Sequence, residues 1–273
     1  MLIALGERPA ILSRGYARRL FAEGVVIVSD GTRVLEPVER SGDEPLMLAQ
    51  AVPNAAVLVS TSRYLAGRIA ESRLGCTVHV LDDGFQHFDL MRDIDLLVAP
   101  EASEDPRTLP FGRFREPLDV ATAADALLIE DRAQALYHQP PKKVAQDFSP
   151  VLPQPTFTFT RRLAGPAPDR PAFAFAGIAR PERFFTDLEN AGWTLTGRRA
   201  FPDHHHYSVP EIEELLQAAR ASSADVILTT EKDFVRLGSA ESRVVAVPLE
   251  VTIEPAFQPW LAERLHAART GDA

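Results

Sequence analysis

Asp82 and Asp83 stand side by side at the end of a short apolar run, Thr77–Leu81, and are followed by Gly84, Gln86 and His87. Adjacent acids repel each other unless they share a cation or each finds its own donor. Mg²⁺ suits such a pair, being a hard ion held by one or two carboxylates with phosphate oxygens completing its shell. The same residues also read as a turn in which the carboxylates accept loop amides. Gln86 and His87 then supply more polar groups than a turn needs. A second cluster is basic. Arg14, Arg18 and Arg19 lie within six residues around Gly15, as a solvated charged loop or as guanidiniums able to grip phosphate in bidentate fashion.

Asp43 and Glu44 precede Pro45, a residue favoured in the first turn of a helix. As structure alone they are helix caps. The positive helix end also weakens a carboxylate as a base, which favours an orienting role. Arg113, Arg115 and Glu116 share a Pro/Gly loop, Leu109–Leu118, and an exposed Arg–Glu pair there contributes little. Asp203-His204-His205-His206 invites a metal reading. Consecutive extended residues point alternately, however, and no spaced Cys or further His completes a zinc site. Thr229-Thr230-Glu231-Lys232-Asp233 follows an apolar run and reads as a turn with a helix cap.

The elements that must position these side chains alternate as in an α/β protein. Apolar runs at Pro9–Ser13, Val25–Ser29, Ala56–Ser60, Thr77–Leu81, Ile94–Ala99 and Ala126–Glu130 predict strands, the pair flanking the Asp82 loop being expected as buried. Helices are expected over Pro45–Val52 and Ser62–Arg73. From His138 to Pro155 five prolines and two lysines break the pattern as a linker would. Thr156–Arg161 alternates as a half-exposed strand, and a Pro-rich loop, Gly165–Pro171, follows. Strands are then expected at Ala172–Ala176, Thr194–Ala200, Val226–Thr230 and Val244–Val247, with helices at Pro181–Ala191, Pro210–Ala221 and Phe257–Ala268. The linear division is 1–137, a linker 138–171, and a smaller α/β unit 172–273.

The 273 residues carry a net charge of −9, which argues against broad nucleic-acid binding while leaving local basic clusters free to meet an anionic substrate. The lone Cys76 excludes an internal disulfide and suits a reducing compartment. No apolar run approaches the roughly 20 residues that span a bilayer.

The stretches LDDGFQH and RDIDLLV resemble the signature of tetraacyldisaccharide 4'-kinase, the lipid A 4'-kinase family. SRGYARR, GDEPLMLA, LPFGRFREPL, FAGIARPERFF, FPDHHHY and TTEKDFVRL are similar to that family in the same order and nearly from end to end. The resemblance implies a P-loop-kinase-like parallel sheet domain with a second, smaller α/β domain. It implies ATP and Mg²⁺ as cofactors, and transfer of the γ-phosphoryl group to the 4'-hydroxyl of tetraacyldisaccharide 1-phosphate. Asp82 and Asp83 would hold Mg²⁺. Asp43 and His204 would act at the hydroxyl, Asp203 fixing the His204 tautomer, and Arg115 would counter phosphate charge. Glu44, Gln86, Glu116 and Lys232 would serve the nucleotide side, and Arg14, Arg18 and Arg19 the substrate. The partner implied is a lipid A disaccharide precursor, met peripherally at the cytoplasmic face of the inner membrane. The family's glycine-rich phosphate loop precedes its SRGY segment, and no G-x-x-x-x-G-K-[ST] occurs in the 273 residues. The first strand and phosphate loop are thus expected to be missing, and these residues alone to be without tight ATP binding or transfer. A non-catalytic relative or inactive fragment of that family that binds lipid or nucleotide, or a metal-dependent phosphohydrolase, are the alternative readings.

Overall fold

The computed structural model describes residues 1–16, 18–20, 23–99, 107–112, 115–131, 155–165, 168–238 and 243–271. Its contacts divide the chain into two compact units, one of Met1–Asp83 with Arg162–Glu250, the other of Gly84–Arg161 with Val251–Ala273. This division interleaves the two halves of the chain, whereas the linear division follows sequence order. Most of the expected linker, including all of His138–Pro155 except Pro155, lies outside the described residues, as do Arg113 and part of the Gly165–Pro171 loop.

The first unit contains two four-stranded sheets. One runs in the order β2 (Val26–Asp30), β3 (Ala56–Val59), β1 (Pro9–Ser13), β4 (Val78–Leu81). β1 is parallel to both neighbours, aligning Ala10 with Ala56 and with His79, and β2 closes the other edge antiparallel to β3. Strands paired on both sides and covered on both faces must be apolar throughout. Leu12, Val57, Leu58 and Val59 are accordingly sealed from solvent. A short helix α1 (Val38–Ser41) leads into α2 (Asp43–Ala51). α3 (Arg63–Leu74) links β3 to β4, begun by the Ser62 hydroxyl accepting from Leu65 N at 3.2 Å.

The other sheet is fully parallel in the order β11 (Val245–Val247), β10 (Val226–Thr230), β8 (Ala172–Ala176), β9 (Leu195–Ala200). β8 reads Ala-Phe-Ala-Phe-Ala, and the two-residue period of a strand sorts it. The alanines face Phe184, Phe185 and Leu188 of α4 (Pro181–Asn190), while Phe173 and Phe175 face Ile212, Leu215 and Leu216 of α5 (Val209–Ala221). A one-turn helix, α6 (Glu231–Phe234), follows β10 directly.

The sheet of the second unit runs β12 (Leu249–Ile253), β7 (Thr156–Leu163), β6 (Ala126–Glu130), β5 (Leu96–Val98), with β7, β6 and β5 mutually parallel. α7 (Phe257–Thr270) sets Phe257 and Trp260 against Phe157, with ring centroids 5.2 and 5.3 Å apart.

Three expectations are corrected. The strands flanking the Asp82 loop are half-exposed edge strands of different sheets, with Val80 and Val98 facing solvent, because each is paired on one side only. The helix expected from Pro45 begins at Asp43. Gly42 is its N-cap, with φ 86° and ψ 160°, so Asp43 and Glu44 occupy the first turn, where a proline at the third position loses no bond. β12 was not foreseen, since its outward residues are nearly all exposed.

Leu58 has no exposed surface and sits in the first sheet's apolar layer with Leu12, Ala66 and Ala70. Leu58→Ala is expected to destabilise the fold by about 2–5 kcal/mol, measured by urea unfolding. A loss under about 1 kcal/mol would contradict the central place given to β3.

Candidate active site

Parallel strands deliver their carboxyl ends to one edge, where ligands bind in open α/β sheets. At the end of β1 the chain turns through Gly15, whose φ of 67° favours glycine. A Cβ there would stand 2.3 Å from Val59 Cγ1. Ser13 Oγ donates to Asp82 Oδ2 at 3.0 Å and accepts from Gly15 N at 3.4 Å. Arg63, 2% exposed, donates to the Ser60 carbonyl (3.2 Å) and the Asp82 carbonyl (3.1 Å), joining the ends of β3 and β4. Burial pulls the Arg63 pKa down, as does nearby Arg14, while Asp82 and Asp83 push it up. Asp83 adopts the left-handed backbone (φ 50°), a sparsely populated conformation for a residue with a Cβ.

The three basic-loop arginines part company. Arg14 is exposed on the Arg63 side. Arg18 folds back to donate from Nε to the Gly15 carbonyl at 3.2 Å. Arg19 is exposed, with its charge felt at His206.

The densest cluster forms between α2, the loop after β9 and α6. His204 Nδ1 lies 2.9 Å from Asp43 Oδ2, and Arg236 Nη2 donates to the same oxygen. Lys232 Nζ reaches Glu44 Oε1 (2.9 Å), Asp203 Oδ1 (3.4 Å) and His204 Nε2 (3.4 Å). Asp203 Oδ1 accepts from His204 N at 2.9 Å, and His204 takes φ 57°. Asp43 is an anion acceptor, so Nδ1 carries the proton and Nε2 the lone pair. Burial is the largest influence on the Asp43 carboxyl and pushes it up. The charge and hydrogen bond of Arg236, then Lys232 and His204, outweigh it and hold the group below its ordinary value of 3.8.

The neighbouring histidines differ. His205 Nε2 bonds Glu211 Oε1 at 3.0 Å and its ring stacks on Phe201, a structural placement. Burial, followed by Arg19 and Arg236, pulls His206 below its usual pKa. Of the three, His204 alone is hydrogen-bonded to Asp43 among the described residues.

In the second unit Gln86 Nε2 donates to Glu116 Oε1 at 2.5 Å, and Arg115 Nη1 donates to Gln86 Oε1 at 3.3 Å. Two loops 29 residues apart thus share one polar cluster. The site residues singled out in sequence fall into three groups: Asp43, Glu44, His204 and Lys232; Asp82, Asp83 and Arg14 around Arg63; and Gln86, Arg115 and Glu116, while Arg18 turns to Gly15 and Arg19 acts on His206.

Sequence reasoning reads Asp233 only as part of a turn with a helix cap and gives Arg236, Tyr207 and Gly177 no part in the site, although all four lie within FAGIARPERFF, FPDHHHY and TTEKDFVRL. Asp233, fully buried, accepts from Gly177 N at 3.0 Å, Thr230 Oγ1 at 2.6 Å, Tyr207 OH at 2.8 Å and Arg236 Nη1 at 3.1 Å. The signals in sequence are those family-like stretches and the charged run after an apolar strand, which reads equally as a surface cap.

A family model described as Tetraacyldisaccharide-1-P 4'-kinase matches residues 1–266, a span holding every candidate site residue named above. The chain belongs to this family. It is 37% identical to the tetraacyldisaccharide 4'-kinase of Desulfotalea psychrophila over 88% of its own length and 72% of the relative's. It is 38% identical to that of Geobacter metallireducens over 93% and 77%. The structure is also similar to the LpxK of Aquifex aeolicus, solved as an "apo" form in complex with ATP, with a TM-score of 0.76, 30% identity, and coverage of 97% of this chain and 80% of that one. Kinases of this family are phosphotransferases, and the α/β fold expected from the motifs is the one observed.

The lowered Asp43 carboxyl fixes the sign of a pH effect. Its folded pKa lies below its unfolded one, so its contribution to stability is present above about pH 3.8 and is lost as pH falls through the folded value. Unfolding free energies measured by urea from pH 7 to pH 3 are expected to show the advantage of the parent over Asp43→Asn shrinking below about pH 4. An advantage that is flat or growing there would contradict the assignment.

Proposed function

We propose that the chain serves phosphoryl transfer from ATP to the 4'-hydroxyl of tetraacyldisaccharide 1-phosphate, a step of lipid A biosynthesis. The observation that carries this reading is the Asp43–His204 hydrogen bond, which leaves a lone pair on Nε2 beside Lys232. A hydroxyl donating to Nε2 in place of the lysine passes its proton to that nitrogen as the oxygen attacks phosphorus. Asp43 remains an anion, holding the ring and stabilising the imidazolium. Lys232, tethered by Glu44 and Asp203, is the cation beside the reacting hydroxyl.

Phosphoryl transfer depends mainly on positioning and charge neutralisation. Arg115, oriented by the Gln86–Glu116 pair, suits the phosphate charge, and exposed Arg14 and Arg19 suit an anionic substrate. Asp82 and Asp83 fit Mg²⁺. They are two carboxylates next to a hydroxyl, and the described residues contain no cluster of three or more acidic, His or Cys ligands that would favour a fully protein-bound ion. Bound there, Mg²⁺ supplies charge neutralisation for the phosphates. A tetraacylated substrate implies work at the cytoplasmic face of the inner membrane. Among the described residues no helix is long and apolar enough to cross a membrane.

Because the 273 residues contain no G-x-x-x-x-G-K-[ST], transfer is assayed with the chain preceded by the phosphate-loop segment of a relative. Mg²⁺-dependent formation of the 4'-phosphate is expected and should be lost in Asp83→Asn. In the same background His204→Ala should lower kcat by about 10²–10⁴-fold with a smaller change in KM for the disaccharide. Phosphate release without an acceptor, or a larger loss from His205→Ala or His206→Ala, would overturn the reading.

A further inference from the structure

The Arg236 side chain is almost wholly enclosed, with 1% of it exposed, and nothing in the transfer chemistry requires it to touch substrate. Its guanidinium is pinned on two sides. Nη1 donates to Asp233 Oδ1 and to the Gly177 carbonyl, each at 3.1 Å, and Nη2 donates to Asp43 Oδ2. Asp233 is itself immobilised by Gly177 N, Thr230 Oγ1 and Tyr207 OH. Burial, and then Asp233, push the Tyr207 hydroxyl far up, so it is a permanent donor. The fit is close: a Cβ on Gly177 would stand 2.8 Å from Tyr207 Oη and 3.0 Å from Asp233 Oδ1.

We infer that Arg236, anchored on Asp233, is a positioning residue of this site: by holding Oδ2 of Asp43 it selects the His204 tautomer with the proton on Nδ1 and the lone pair on Nε2. The inference rests on the transfer reading for the use made of that lone pair, and on geometry alone for the tautomer. Arg236 and His204 Nδ1 converge on one carboxylate oxygen, so the guanidinium fixes where the imidazole must point. A rigid fork does this and a flexible ammonium does not.

Charge makes the same case. Several groups surround Asp43. Glu44 lies on its own helix, and Asp203, His204 and His206 on the loop after β9. Lys232, Asp233 and Arg236 come from α6 and the turn beyond, and Tyr16, Arg18 and Arg19 from the loop after β1. Among them Arg236 and Lys232 are the cations that act directly on Asp43, and Lys232 is already shared with Glu44 and Asp203. Without Arg236 the burial that raises the Asp43 carboxyl is opposed by Lys232 and His204 alone among these influences, and Oδ2 loses the guanidinium that places it. A carboxyl released from the guanidinium is free to turn its oxygens or to share a proton with the ring, so the Nδ1–H form of His204 is no longer imposed and the lone pair is no longer held at Nε2.

The test is long-range ¹⁵N NMR on the 273-residue chain labelled at histidine, at a pH where His204 is neutral. The parent is expected in the Nδ1–H form. Arg236→Met is expected to move His204 predominantly to Nε2–H, and Arg236→Lys to restore part of the parent signal. An unchanged Nδ1–H signal in folded Arg236→Met overturns the inference. Should that variant fail to fold, Arg236→Gln keeps a polar side chain without the charge and is read in the same way. The Asp43 ¹³Cγ titration of the parent is readable in every case: a midpoint below 3.8 is expected, and one at or above it overturns the inference. If the phosphate-loop-bearing parent transfers no phosphate, the transfer reading fails while the tautomer measurement still decides this one.

Discussion

One guanidinium shared by two buried carboxylates is the constraint on which the site depends. Asp43 opens the helix that follows the first sheet's edge strand, and Asp233 sits in the one-turn helix after β10 of the second sheet, yet Arg236 contacts both. The two acids come from positions 190 residues apart in sequence and are almost wholly removed from water. Either alone would pay the desolvation cost of a buried charge. A buried ion pair adds little net stability over an apolar replacement, although removing one partner is strongly destabilising. Its value here is geometric. It fixes the oxygen against which His204 is set, and with it the direction of the lone pair that faces Lys232.

Around that constraint the fold repeats a single device. Ser13 ends β1 and Gly15 follows it, Ser60 follows β3, Asp82 follows β4, Gly177 follows β8, Asp203 and His204 follow β9, and Glu231–Arg236 follow β10. Each polar group stands just beyond the carboxyl end of a parallel strand, where the backbone leaves the sheet and side chains can converge. His204 and Asp83, the residue after Asp82, hold left-handed backbone conformations although neither is glycine. Asn, Asp and His tolerate that region better than other residues, and the Asp203 carboxylate accepting from His204 N supports the turn.

Central strands were legible because burial on both faces demands uninterrupted apolar sequence, as in Ala-Ile-Leu of β1 and Ala-Val-Leu-Val of β3. The strands flanking the Asp82 loop were legible as strands and misjudged as buried, since an apolar run does not reveal that its pairing stops on one side. The helix at Asp43 began two residues before the proline that announced it, because Gly42 supplied the turn. Asp43, Glu44, His204 and Lys232 were named from family motifs, and the structure brings those four together. Arg236 was not named. In TTEKDFVRL an Asp and an Arg three apart look like a solvated helix pair. Their burial is set by Gly177, Tyr207 and Asp43, which no local pattern connects to them. Convergence of distant residues on one buried charge is a tertiary fact, whereas periodicity and turn chemistry are local ones.

The central claim is that Asp43 and Arg236 are energetically coupled as a buried pair, and a double-mutant cycle on unfolding free energy tests it most directly. Asp43→Asn and Arg236→Met, alone and together, would be compared with the parent by urea unfolding at pH 7. Arg236→Met leaves both buried carboxylates without their shared cation and is expected to cost about 3–5 kcal/mol, whereas Asp43→Asn leaves Arg236 still paired with Asp233 and is expected to cost less. The double variant should lose markedly less than the sum, giving a coupling of about 2 kcal/mol or more. Additive losses within about 0.5 kcal/mol would mean that the two groups act independently, and would contradict the account.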